Sequence, residues 1–148
     1  MKIICKMMAL GIIVFSSHAS MAQVLTSNRQ NYFSKYSQKL PTSESELEKA
    51  FNTPEGSKVK INFADFSFNG IVTSSVKRYA NLYSVLVKAP GLDNTILSIS
   101  KQINSDNSVS YIGRIINQNY ADGFELKKDK DGIYAMNKIR TDALIEDY

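Results

Sequence analysis

The chain has 148 residues, with 18 Lys and Arg, 14 Asp and Glu, one Cys, one His and no Trp, for a formal net charge of +4. Its thiol (Cys5) and its imidazole (His18) both lie in the first 22 residues. Loss of that segment would exclude disulfides, thiol redox chemistry, His/Cys zinc sites and Ser-His-Asp or Cys-His catalysis.

The segment has the layout of a secretory signal peptide. Lys2 and Lys6 flank the start of an apolar run, residues 7–15 (MMALGIIVF). Ser20-Met21-Ala22 then puts small residues three and one before a cut ahead of Gln23. The run is about half the ~20 residues a bilayer span needs. Cys5 precedes it, which is not where a lipid-attachment cysteine stands. The expected organisation is a signal peptide over 1–22, a flexible leader over 23–41 and a β-rich domain over 42–148. Without Lys2 and Lys6 the 18 basic residues fall by two against 14 acids, and the net charge becomes +2. The expected address is the periplasm or the cell exterior, with no membrane span after cleavage. An exported chain without disulfides must be held by its apolar core alone.

Residues 23–38 are polar, with Tyr32, Phe33 and Tyr36 as their large apolar side chains. Ser43 followed by Glu46 is a capping box, and Glu44, Glu46 and Glu48 suit the positive end of a helix. Leu47, Ala50 and Phe51 give an apolar stripe, so a helix is predicted over 43–52, laid on a sheet. Pro54 and Gly56 end it. Val59, Ile61 and Phe63 alternate with polar residues, a half-buried strand. Phe66 and Phe68 change parity, so Ala64-Asp65 hosts a bulge or tight bend. Asn69-Gly70 reads as a bulge in a strand over 66–74, with a hairpin turn as the alternative. Residues 74–81 read as a polar connection. The next strand, 82–88, is apolar on both faces, which predicts cover on both sides. Four short runs follow at 95–103, 109–117, 124–128 and 133–138, cut by Asn-, Asp- and Gly-containing turns, the pattern of a hairpin meander. Leu97 and Ile99 share one face. Val109, Tyr111, Gly113 and Ile115 share another, and Gly113 marks a bend or close backbone approach. Residues 141–148 fit a last helical turn or an edge strand. The expected fold is mainly β: a single antiparallel sheet of about seven strands rolled into a partial barrel, with one short N-terminal α-helix. The alternative is α+β, a helix packed on an open antiparallel meander.

Phe68-Asn69-Gly70-Ile71-Val72, Leu97-Ser98-Ile99-Ser100, Tyr111-Ile112-Gly113-Arg114-Ile115, Phe124-Glu125-Leu126 and residues 134–139 follow one another in that order. This succession resembles the β-rich pro-region of secreted zinc metalloproteases of the reprolysin type, over residues 58–139. The sequence departs from that family in having no His-Glu-x-x-His motif and no Cys placed to cap a protease zinc. The resemblance implies a pro-region-like module without the catalytic domain. The chain also looks like a small exported protein of Gram-negative bacteria.

Carboxylates are the strong acid–base groups that remain. Glu55, Asp65, Asp93 and Glu125 fall near strand ends, and their spacing selects no pair for glycoside chemistry. Asp122, Asp129 and Asp131 read as turn formers. Asp129-Lys130-Asp131-Gly132 lacks the further oxygens and terminal Glu of a calcium loop. Ser74-Ser75-Val76-Lys77 has the Ser-x-x-Lys spacing but falls between strands rather than at a helix start. Lys127, Lys128 and Lys130 are interrupted by acids, as in a solvated turn rather than a nucleic-acid patch. No catalytic, metal or cofactor residue is assigned. Binding surfaces are enriched in Tyr and Arg, and the candidate interaction surface is Lys77, Arg78, Tyr79 and Tyr83 with Arg114. The expected function is a non-catalytic exported binding module for another exported protein, as a pro-region-like or inhibitory partner of an exported protease. The alternative is a carrier of a lipid-like or aromatic molecule, with an interior lined by Phe63, Phe66, Phe68 and Leu97. An enzyme resting on Glu125 and Asp65 comes third.

Overall fold

The structure is a computed structural model that describes residues 29–141. The signal-peptide reading, residues 23–28 of the leader and the ending at 142–148 lie outside the described residues. The elements are β1 (Lys39–Thr42), α1 (Glu44–Asn52), β2 (Lys58–Phe63), β3 (Phe66–Tyr79), β4 (Leu82–Ala89), β5 (Thr95–Ile103), β6 (Val109–Ile116), β7 (Asp122–Lys128) and β8 (Tyr134–Arg140), with a 3-10 turn at Pro90–Leu92. The strands form one antiparallel sheet in the order β1-β8-β7-β6-β5-β4-β3-β2. From β2 to β8 each strand pairs with the next in sequence, and β1 alone crosses over, to β8. The sheet curls into a half-barrel.

Period-two alternation decides which face is buried. Ile61, Phe68, Val87, Leu97, Ile115 and Phe124 point into the concave side and are fully buried. Helix α1 closes over that side with Leu47 and Ala50, while Phe51 stays half-buried at the margin. Ser43 caps the helix as expected, its hydroxyl accepting the Glu46 N–H at 3.3 Å. The second half of the capping box is absent. The Glu46 carboxylate turns to β2, where it accepts the Asn62 N–H at 2.9 Å and the Asn62 side-chain N–H at 3.1 Å. Asn62 lies on the sheet's edge strand, and its amide gains a charged acceptor that the sheet does not supply. The Thr42 hydroxyl donates to the Asn62 carbonyl at 2.9 Å, so the two edge strands, β1 and β2, are bridged at this point.

The meander follows the sequence pattern closely, and β5 runs over Thr95–Ile103 as expected. Ala64-Asp65 forms the tight bend, with Phe63 opposite Phe66 and Ala64 at φ 46°. Gly113 is a close approach: a Cβ there would stand 2.6 Å from the Ser98 carbonyl oxygen.

Four expectations need correction. Gly70 is neither a bulge nor a turn; it pairs with Val59 in regular register, and β3 bulges later, between Val72 and Ser74. Its lack of a side chain serves β4, because a Cβ would meet Val87 Cγ1 at 2.6 Å. Residues 74–79 are not a connection but the far half of β3, paired with β4. They are polar because they extend beyond the core, so backbone pairing rather than burial holds them. Strand β4 is covered on one side only: Val85 and Val87 are buried, whereas Leu86 is 38% exposed.

The fourth correction concerns the leader. From residue 29 the chain is bound to the sheet. Phe33 is fully buried and its ring meets Phe66 and Phe124 edge-on, at 6.0 and 5.2 Å. Asp122 Oδ1 accepts the Tyr32 N–H at 2.7 Å, and Oδ2 accepts the Phe33 N–H at 2.9 Å. Lys138 donates its N–H to the Gln38 carbonyl at 2.8 Å, and residues 39–42 continue as β1. Polar composition concealed one aromatic anchor and one buried acid.

Candidate functional site

The β2–β3 register ends at Lys58 opposite Ile71, while β3 runs on to Tyr79 against β4. The β3–β4 hairpin therefore projects past β2. Its tip is tied to the end of β5: Ile103 N–H donates to the Asn81 carbonyl at 2.9 Å, and the Asn81 side-chain N–H donates to the Ile103 carbonyl at 3.1 Å. Between this hairpin and the last turn of α1 lies a groove of about 440 Å³, lined by Glu48, Phe51, Lys77, Tyr83, Lys101 and Ile103 among others.

Charge is distributed unevenly along the groove. On its inner side Glu48 pairs with Lys101 at 2.5 Å and accepts the Tyr111 hydroxyl. The Tyr111 N–H in turn donates to the Tyr134 hydroxyl at 3.0 Å. Burial works to raise the Glu48 pKa, but the hydrogen bonds from Lys101 and Tyr111 outweigh it and hold the carboxyl below its usual 4.5. Burial first, and the Glu48 carboxylate second, push the Tyr111 phenol far above its usual 10. At neutral pH the pair is therefore a carboxylate and a neutral phenol, a fixed polar floor. Toward the hairpin, Lys77 stands opposite Tyr83 in register, its ammonium 5.4 Å from the ring centroid. The Lys101 ammonium lies 5.8 Å from the Phe51 ring centroid. The groove thus offers aromatic faces and a cation, Lys77, that no carboxylate among the described residues neutralises.

Of the sequence-derived surface, Lys77 and Tyr83 line this groove. Arg78 and Tyr79 stand exposed at the hairpin tip, Tyr79 at 71%. Arg114 does not join them. It projects from the opposite face of the sheet, opposite Ser98, and pairs with Glu125 at 3.1 Å. Glu48, Phe51, Lys101 and Tyr111 were missed. Lys101 carried a readable signal, since it continues the parity of Leu97 and Ile99 and so falls on the buried face. Glu48 carried none beyond the acidic start of the helix.

Three of the four acids considered for catalysis, Glu125, Asp65 and Asp93, have structural partners. Glu125 pairs with Lys127 at 2.6 Å as well as with Arg114. Asp65 accepts the Ser37 hydroxyl at 3.3 Å, and Asp93 accepts the Tyr120 hydroxyl at 3.1 Å. Asp129 closes its own turn, accepting the N–H groups of Asp131 and Ile133 at 3.1 and 2.9 Å. Among the described residues no three His, Cys, Asp or Glu gather as a metal site would require. Ser74 and Lys77 lie within a strand, without a helix start beneath them. The residues a carrier would use to line a cavity fill the core instead: Phe63, Phe68 and Leu97 are fully buried, and Phe66 stacks on Phe63 at 6.2 Å and on Phe124 at 6.3 Å. No described helix is long and apolar enough to cross a membrane. Comparison with protein-family models, curated proteins and solved structures finds no match to this chain.

Proposed function

We propose that the protein is a non-catalytic exported binding module that docks on another exported protein through the groove between α1 and the β3–β4 hairpin. One observation carries the reading: an aromatic and cationic recess, with Lys77 over Tyr83 and Lys101 over Phe51, sits beside an exposed Tyr79 on a projecting hairpin. Aromatic side chains such as Tyr83 and Phe51 in a partly desolvated recess are what protein interfaces favour. The carboxylates bound into turns and ion pairs also support recognition over chemistry. The pro-region resemblance suggests the kind of partner, an exported protease held inactive or shielded by the module.

The test is affinity capture from the exported fraction with the wild-type protein and with a Lys77→Glu/Tyr83→Ser variant. One reproducible protein retained by the wild type and released by the variant is the expected result. Equal retention by both, or no reproducible protein, contradicts the proposal. Assay of a captured protease with and without the module then tests inhibition separately.

A further inference from the structure

The outer, convex face of the sheet carries a second pattern. Lys58 faces Ile71, Ile71 faces Lys88, Lys88 faces Ile96 and Ile96 faces Ile116, one unbroken cross-strand row over five strands. A second row runs Val76, Ser84, Ser100, Ile112. Between them stands Leu86, opposite Ser98. Large apolar side chains on a water-facing sheet are normally scattered. Here Leu86, Ile96, Ile112 and Ile116 are 38, 40, 68 and 38% exposed and share one face. The serines between them are short, so the aliphatic side chains stand proud.

The charges on this face are mostly of one sign. Lys58 and Lys60 border the Ile71 end, and Lys88 lies within the row. None of the three has a carboxylate partner among the described residues. Arg114 adds a cation that Glu125 already neutralises. One further acid, Asp93, sits at the Ile116 end. The face has no Tyr, Phe or Met between the cations, unlike the recess on the other side and unlike protein interfaces, which are enriched in aromatic side chains and Met. Aliphatic side chains rimmed by flexible lysines match a different surface, in which alkyl groups enter the acyl boundary and ammonium groups meet lipid phosphates.

We propose that this convex face docks on the surface of a bilayer containing anionic phospholipid. The row from Lys58 to Ile116 lies on the bilayer, and the α1–hairpin groove on the other face remains open to a protein. The proposal does not depend on the reading of that groove.

Co-sedimentation with phosphatidylglycerol-containing vesicles, and with phosphatidylcholine vesicles as control, tests it. The full exported protein is expected to bind the anionic vesicles, to release as salt is raised, and to ignore the neutral ones. Lys58→Gln/Lys88→Gln should weaken binding by about fivefold per lysine removed. Ile96→Ser/Ile112→Ser should weaken it at every salt concentration. All four side chains are exposed, so folding is checked by thermal melting and the wild-type salt series needs no variant. Absence of vesicle binding, equal binding to neutral vesicles, variants that bind like the wild type, or a wild-type dimer that the Ile substitutions dissociate would each overturn the proposal.

Discussion

Asp122 anchors a segment ninety residues away in the chain. Its two carboxylate oxygens take the N–H groups of Tyr32 and Phe33, and its side chain is 4% exposed overall. Asp122→Ala leaves two amides without acceptors and should cost about 2–3 kcal/mol in urea unfolding. Phe33→Ala should cost about 3–5 kcal/mol, because the cavity is bounded by the rigid rings of Phe66 and Phe124. A truly flexible leader would lose nothing in either variant. Neither effect was legible in the sequence, where Asp122-Gly123 has the composition of a turn and Phe33 is one aromatic in a polar run. Gly113 was legible, since a glycine on the buried parity of a strand has few reasons to be there.

Glu48 sets a pH dependence. Its pKa in the folded protein lies below the usual 4.5 through Lys101 and Tyr111, despite opposing burial. A depressed pKa gives stability that is complete above the unfolded value and lost as pH falls through the folded one. Lys127 first, and then Arg114 against opposing burial, lower Glu125 in the same sense. The protein should therefore lose stability as pH falls below about 4.5. Glu48→Gln should flatten that loss, measured as the urea midpoint from pH 6 to pH 3. An unchanged acid profile in the variant would mean that the Glu48 interactions are no stronger folded than unfolded.

At the scale of elements, the helix was readable because its start signal is local. Ser43→Ala should destabilise by about 1 kcal/mol through loss of the cap. The partner of Glu46 was not readable, because it depends on Asn62 of β2 arriving beside the helix. The long hairpin was unreadable for a different reason. Residues 74–79 have no apolar alternation to display, since beyond the core neither face is buried. Such a strand is held by backbone pairing alone, and side-chain changes there should be inexpensive. Lys77→Ala and Tyr79→Ala should each shift unfolding by less than about 0.5 kcal/mol. They can then report on binding without confounding loss of fold. A large destabilisation in either would mean that the hairpin side chains are structural.

For the whole molecule, a single sheet curls around its own aromatic interior. The roll was inferable from the number of short strands and the need to hide one face. The assignment of residues to the two faces was only half legible. Tyr83 and Lys77 were identified together from proximity in sequence, but Arg114 was grouped with them although its even-numbered position on β6 places it on the other side of the sheet. Register, which decides that, is a property of the paired strands and not of either run alone. The central claim, recognition of a protein at the hairpin groove, is tested most directly by photo-crosslinking in the native cell with a photoreactive side chain at position 79, 83 or 114. A discrete protein adduct from positions 79 and 83, with none from 114, is the expected result. An adduct of equal yield from 114, or none from 79 and 83, would contradict it.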